Sequence, residues 1–335
     1  MAVLEEWLNI TERAAIACHR WIGKEDPISA DQAAVDSMRT SLDAMNIHVR
    51  IVIGEGERDL APMLYIGEEL GRLIETRYDR RSIPESLCVD IAVDPLEGTA
   101  LCAKGARNSL SVLAFAERGG ILRAPDVYMN KIAASGAGVS GDVISLDASV
   151  EENIRNLAKL KGKSPSDIRV SILKRDRHKQ IIQEASNTGA QVILFEDGDV
   201  ATILATCMAE TEEIDLHIGI GGAPEGILAA AALKVMGGYM EGRLLFADEL
   251  EKERAKNYGI NRLDKKYYID DMIPANSITF VATGVTDGFL LDGVKDTNGM
   301  FITHSLIISS QPSLSKSISG QIRTIRKVET RHILV

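Results

Sequence analysis

The sequence predicts an α/β protein, and three observations carry that prediction. Helical and strand-like hydrophobic patterns alternate along most of its 335 residues. Several apolar runs end directly on acids and glycines, as strands do where an α/β fold binds its ligands. Hydrophobic residues at 45% and charged residues at 26% make the mix of a globular chain that buries a sizeable core. The length suits two domains or one large α/β unit.

Taken in order, apolar positions recur at helical spacing over 3–22 and 30–46. His48 to Gly54 (HVRIVIG) reads as a strand. Pro62 to Gly71 reads as a helix, with proline near its start and glycine at its end. Residues 72–88 are charged, contain Pro84 and read as a surface loop. Val89–Asp94 and Ser109–Ala116 are buried strands. A second block begins near 165, with strands at Ile168–Leu173, Gln191–Phe195 and Glu213–Ile220. Helices from about His178, at Val200–Cys207 and at Pro224–Met236 alternate with them, which predicts a parallel layer. The last sixty residues are rich in Ser, Thr, Val and Ile and read as strands that close the fold. The polar stretch KLKGKSPSD suggests domains of 1–165 and 166–335, with the active site expected between them.

Asp and Glu number 48 against 38 Lys and Arg, a formal net charge of −10. That balance argues against a nucleic-acid partner, because neutralising phosphates needs clustered Lys and Arg. Aromatics at 4% leave little for stacking on bases. The longest apolar run, Ile227 to Leu233, is far short of the ~18 residues a membrane helix needs, so no membrane partner is expected. The acidic start MAVLEEWLN lacks the basic region of a secretory leader. Cys18, Cys88, Cys102 and Cys207 are scattered, as expected for reduced thiols in a cytoplasmic protein.

The most informative segment is Val93-Asp94-Pro95-Leu96-Glu97-Gly98-Thr99. A buried strand ends on an acid, proline halts the ladder, and a second acid, a glycine and a hydroxyl follow. Asp94 and Glu97 can converge on a hard divalent cation, which prefers oxygen ligands. If a helix begins there, the N–H groups of Gly98 and Thr99 can hold a phosphate. An acidic helix cap would explain one acid but not the whole set. In Gly54-Glu55-Gly56-Glu57 a strand again runs into carboxylates, which either point into a cleft or form an exposed turn. Asp31 is a candidate ligand or a helix N-cap. In Gly221-Gly222-Ala223-Pro224-Glu225-Gly226 a glycine-rich turn enters an apolar helix. Glu225 there is either a metal carboxylate or a simple complement to the helix dipole. The turn is not a P-loop, because the Lys-Ser/Thr ending is missing. Arg175-Asp176-Arg177-His178 follows a strand, and arginine suits bidentate phosphate contacts. Asp197-Gly198-Asp199 either binds sugar hydroxyls or forms a turn and cap. A G-x-S-x-G elbow and an H-E-x-x-H pair are both missing from the sequence.

Together these segments resemble the class II fructose-1,6-bisphosphatases, the GlpX type, within the lithium-sensitive, metal-dependent sugar phosphatase superfamily. IVIGEGE (51–57), APMLYIGEE (61–69), DIAVDPLEGT (90–99), APDVYM (124–129), DGDV (197–200) and IGGAPEG (220–226) carry the resemblance, over about residues 10–310. It implies the superfamily's layered α-β-α-β-α sandwich, with a metal-binding α+β first domain. Asp31 and Glu55 match ligands of one metal, and Asp94, Glu97 and Glu225 match ligands of a second. Glu97, Gly98, Thr99, Tyr128, Arg175, Asp176, Arg177, Asp197, Gly198, Asp199 and Gly222 match substrate positions. The family commonly has proline where Asp176 stands, so an acid sits beside the expected phosphate clamp. The 72–88 loop is similar in length to that of the cyanobacterial enzymes that also accept sedoheptulose 1,7-bisphosphate.

The implied reaction is hydrolysis of fructose 1,6-bisphosphate to fructose 6-phosphate and phosphate, in gluconeogenesis, with Mg²⁺ or Mn²⁺. Two ions would stabilise the attacking and leaving oxygens of an in-line displacement at the 1-phosphate. Thr99 is expected to orient the attacking water, with Asp31 or Glu57 as base. Tyr128, Arg175 and Arg177 are expected to anchor the 6-phosphate. A cytoplasmic homo-oligomer, dimer or tetramer, is implied. The alternatives are a dual fructose-1,6-/sedoheptulose-1,7-bisphosphatase, an inositol-monophosphatase-like phosphatase and a non-catalytic sugar-phosphate sensor.

Overall fold

The computed structural model describes residues 2–54, 64–76, 83–208, 214–310 and 324–333. Contacts group the chain into two units, Met1–Asp126 with Ile273–Val335, and Val127–Met272. This division differs from a single cut near 165. Residues 127–165 pack with the segment that follows them, and the closing strands return to the first unit.

The first unit opens with helices α1 (Ala2–His19) and α2 (Pro27–Asp43). Strand β1 (His48–Ile53), the short β2 (Glu69–Leu70), helix α3 (Arg72–Thr76) and strand β3 (Cys88–Glu97) follow. Next come helix α4 (Thr99–Lys104) and strand β4 (Leu110–Glu117). The other unit comes next along the chain. It holds β5 (Tyr128–Ala134), α5 (Val150–Lys161), β6 (Arg169–Leu173), α6 (Lys179–Asn187), β7 (Gln191–Phe195) and α7 (Val200–Ala205). It continues with β8 (Leu216–Gly222), α8 (Ala223–Met236), β9 (Tyr239–Leu245), α9 (Glu249–Asn257), β10 (Lys266–Tyr268) and α10 (Ile269–Met272). The chain then returns to the first unit through β11 (Ile278–Gly284), β12 (Lys295–Thr297), β13 (Met300–Ser309) and β14 (Thr324–Ile333).

The first unit's strands form one sheet in the order β12-β13-β11-β4-β3-β1-β2, with β14 along β13. Its helices cover an apolar face where Trp7 stacks on Phe115 at 4.0 Å between centroids. Asp26, not Asp31, caps α2: its Oδ1 accepts from the Ser29 N–H at 3.0 Å, and Pro27 occupies the first turn. Asp31 therefore sits a full turn inside the helix. The helix expected over Pro62–Gly71 is absent from its described part. Residues 64–68 turn back, and β2 pairs antiparallel with β1, Val49 opposite Leu70. Gly71, at φ 102°, abuts the Ile47 carbonyl where a Cβ would not fit. The described part of the expected 72–88 loop carries α3 and a 3-10 turn at Glu85–Leu87.

The second unit's sheet runs β10-β9-β5-β8-β6-β7. It is parallel only across β8-β6-β7; β5 lies antiparallel to both β8 and β9. The expected parallel layer is thus half of a mixed sheet. The sequence pattern did not mark β5, because YMNKIAA places a lysine at a position that turns out to be interior. Local signals set the helices. Ser149 and Glu152 form a reciprocal capping box on α5, and Gly162 ends it in the left-handed region. Helix α8 is apolar on nearly every side, and Ile227 to Leu233 are all buried.

Candidate active site

In the first unit, the decisive feature lies at the end of β3. Pro95 does not stop the strand. Asp94 pairs with Val112 of β4 and Glu97 with Leu110, so three steps along β3 match two along β4. The extra residue is a β-bulge. In a regular strand, residues i and i+3 face opposite ways. Here the bulge returns Glu97 to the face of Asp94, and each offers a carboxylate oxygen within 4.8 Å of the other. Glu97 is buried and Asp94 half-buried. The Asp94 Oδ1 also accepts from the Leu96 N–H at 3.1 Å, and the Ser109 hydroxyl donates to the Glu97 carbonyl at 3.1 Å.

Gly98 follows at φ 74°, a left-handed conformation that glycine adopts without strain, and it turns the chain into α4 at Thr99. The Thr99 hydroxyl donates its proton to the Leu96 carbonyl at 2.9 Å. Its oxygen therefore remains an acceptor toward anything placed beside it. β1 runs parallel to β3 and ends on the same side, at Ile53 and Gly54. Glu55 and Glu57, the acids expected there, lie outside the described residues. Asp31 is half-buried on α2, and burial raises its carboxyl above the usual range.

In the second unit, topology collects the remaining candidates at one end of the sheet. β6, β7 and β8 are parallel, so the segments 174–178, 196–199 and 222–225 all leave by the same end. β5 runs the other way, and its first residue, Tyr128, pairs with Gly222. The Arg177 guanidinium lies 4.8 Å from the centroid of the exposed Tyr128 ring. It also donates twice to the Ile220 carbonyl, at 3.1 and 2.7 Å. Arg175 donates to Asp197 at 2.8 Å and to the Glu196 carbonyl. Asp176 points to solvent, 93% exposed, and pairs with Lys179 at 2.9 Å, which holds its carboxyl below the usual range. Gly198 links Asp197 to Asp199, which is buried and stands at the N-cap position of α7 without a side-chain capping bond. Gly222 precedes α8, where Glu225 sits in the first turn. A Cβ at Gly222 would run into the Glu225 carboxylate.

Two supporting residues had no role assigned from the sequence, His178 within a quoted motif and Lys131 outside all of them. His178 is fully buried: its Nδ1–H donates to the Leu173 carbonyl at 2.6 Å and its Nε2 accepts from the Ile220 N–H at 2.8 Å. Burial and the neighbouring arginines keep its pKa below the ordinary value. Lys131, wholly buried in β5, pairs with Asp199 and donates to the Gly222 carbonyl at 2.9 Å. A lysine inside a strand of mostly apolar residues was the one available signal.

Among the described residues, no helix is long and apolar enough to cross a membrane. A family model described as bacterial fructose-1,6-bisphosphatase, glpX-encoded, matches residues 1–332. A protein of Synechocystis sp. is 42% identical over 328 residues, covering 93% of this chain and 94% of its own length. One from Thermosynechococcus vestitus is 42% identical over 344 residues, covering 98% and 95%. One from Trichormus variabilis is 39% identical over 339 residues, covering 96% and 97%. All three are named D-fructose 1,6-bisphosphatase class 2/sedoheptulose 1,7-bisphosphatase.

Proposed function

The chain belongs to the glpX-encoded bacterial fructose-1,6-bisphosphatase family, and from that premise we propose how its residues hydrolyse fructose 1,6-bisphosphate to fructose 6-phosphate and phosphate. The observation that carries the proposal is the acid pair Asp94 and Glu97, set on one face of β3 directly ahead of Gly98 and Thr99.

Carboxylate oxygens suit hard divalent cations, and this donor set fits Mg²⁺ or Mn²⁺. Asp94 and Glu97 would hold one ion. The family pattern adds Glu225 to that ion and assigns Asp31 with Glu55 to another. When bound, such ions supply Lewis acidity and lower the pKa of water. Thr99, its proton committed to Leu96, accepts a hydrogen bond from the attacking water and so orients its lone pair toward the 1-phosphorus. Asp31 or Glu57 takes the proton. Arg177, held by the Ile220 carbonyl and stacked on Tyr128, anchors the remote 6-phosphate with Arg175. That binding energy positions the reacting end. Asp176, turned out toward Lys179, does not compete with the substrate for the Arg177 charge. We place the enzyme in the cytoplasm, as a dimer or tetramer, as its bacterial metabolic family implies.

A phosphate-release panel with Mg²⁺ and Mn²⁺ tests the reading. It compares fructose 1,6-bisphosphate, sedoheptulose 1,7-bisphosphate, fructose 1-phosphate and inositol 1-phosphate. Fructose 1,6-bisphosphate is expected to be cleaved far faster than either monophosphate. The names of the relatives favour a second reading, in which sedoheptulose 1,7-bisphosphate is cleaved at a comparable rate. Preference for inositol 1-phosphate would overturn both.

A further inference from the structure

The glycine-rich turn before α8 has an interior role. Lys131 is wholly buried in the middle of β5, opposite Gly219 of β8 and Gly242 of β9. Its ammonium pairs with the buried Asp199 and donates to the Gly222 carbonyl. A Cβ at Gly221 would lie 2.8 Å from Nζ and would overlap the Asp199 carboxylate. A Cβ at Gly226 would lie 3.0 Å from the lysine stem. The glycines of this turn therefore make space for a buried ion pair. Gly222 is the residue from which α8 starts, and α8 presents Glu225 three residues later.

We propose that Lys131 is a positioning residue: with Asp199 as counter-charge, its ammonium fixes the Gly222 carbonyl and thereby the turn that presents Glu225. The inference rests on the reading of Glu225 as a metal ligand.

A buried ion pair that serves only the fold predicts a different outcome from one that positions a turn, and two variants of the full chain separate them. Lys131→Met removes the ammonium that pairs with the Asp199 carboxylate. Lys131→Met/Asp199→Asn also removes the carboxylate charge but still leaves Gly222 without its donor. Mn²⁺ uptake is read from loss of the free-ion paramagnetic resonance signal, and stability from thermal melting of the metal-free chain. The double variant is expected to melt within a few degrees of the parent while needing at least tenfold more Mn²⁺ for half-saturation. Lys131→Met is expected to lose both properties, and if it fails to fold the double variant decides alone. Parental Mn²⁺ affinity in the double variant overturns the proposal, as does parental affinity in a folded Lys131→Met. A double variant that does not fold also overturns it, because the pair is then needed for the fold itself. A parent chain that takes up no Mn²⁺ overturns the metal reading first, before any variant is compared.

Discussion

Asp94 and Glu97 lie on one face of β3 although three residues of sequence separate them, because the strand carries one residue more than β4 between their partners Val112 and Leu110. A ladder without that bulge would point one acid into the layer opposite the other. Proline contributes to this geometry: it cannot donate to the ladder, and such residues are tolerated in sheets at bulges. The motif's chemistry thus depends on a defect in its strand.

Glu97→Gln keeps the shape of the side chain and removes its charge. Phosphate release from fructose 1,6-bisphosphate is expected to fall by more than about 100-fold, the upper range for losing a group that only supports a metal ligand. The melting temperature should stay near that of the parent. A folded variant with retained activity would remove Glu97 from the site.

Metal removal should silence recognition as well as catalysis. The chain carries a net charge of −10 and is proposed to gather acids where an anionic substrate binds. Bound divalent ions invert the local sign. After dialysis against a chelator, calorimetric titration with fructose 1,6-bisphosphate is expected to show little binding, and Mg²⁺ or Mn²⁺ should restore it. Undiminished binding by the metal-free chain contradicts this account.

Arg177→Lys retains a positive charge but loses the planar fork that reaches the Ile220 carbonyl twice while stacking on Tyr128. KM for the bisphosphate is expected to rise roughly tenfold, the size of one lost charge-assisted hydrogen bond. With kcat changed less than about threefold, the loss lies in binding shared by ground and transition states. An unchanged KM would detach Arg177 from the remote phosphate.

Two buried histidines make the stability of the second unit sensitive to acid. His217, 1% exposed, is pushed down to about 4, chiefly by burial, and His178 is lowered for the same main reason. In the unfolded chain both protonate near 6.5. Between the folded and unfolded values the unfolded chain binds more protons, so stability rises with pH across that window. The contribution is fully present above pH 6.5 and is lost as pH falls toward the folded values. For His217 it is about 3 kcal/mol. Urea midpoints measured from pH 7 to 4.5 should decline, and His217→Gln should flatten the decline. A flat profile in the parent chain would show that the two imidazoles do not control it.

Much of the candidate site was legible in the sequence because its segments are local. Asp94 to Thr99, Arg175 to Arg177 and Gly222 to Glu225 each hold their residue types within a few positions. β7, Gln191–Phe195, matches its expected limits, and α8, expected over Pro224–Met236, extends only to Ala223. What failed did so where a distant partner overrides local pattern. Leu64–Gly71 follows β1 into an antiparallel pair instead of coiling, and β5 is a strand because β8 and β9 flank it.

The sequence by itself determined the chemistry on offer: hard oxygen donors, arginines for phosphate, glycines at strand ends, and the α/β alternation that sets strand ends as ligand sites. Only the tertiary structure decided which of those groups face a ligand and which face each other. Asp176 turns to Lys179, Asp199 is claimed by Lys131, and Asp26 takes the cap that Asp31 was a candidate for. The physical reason is that side-chain direction is fixed by register and burial, which depend on residues far along the chain. A carboxylate enclosed in protein must find a counter-charge or hydrogen-bond donors, while the same group at a strand end that opens on a site stays available to a cation.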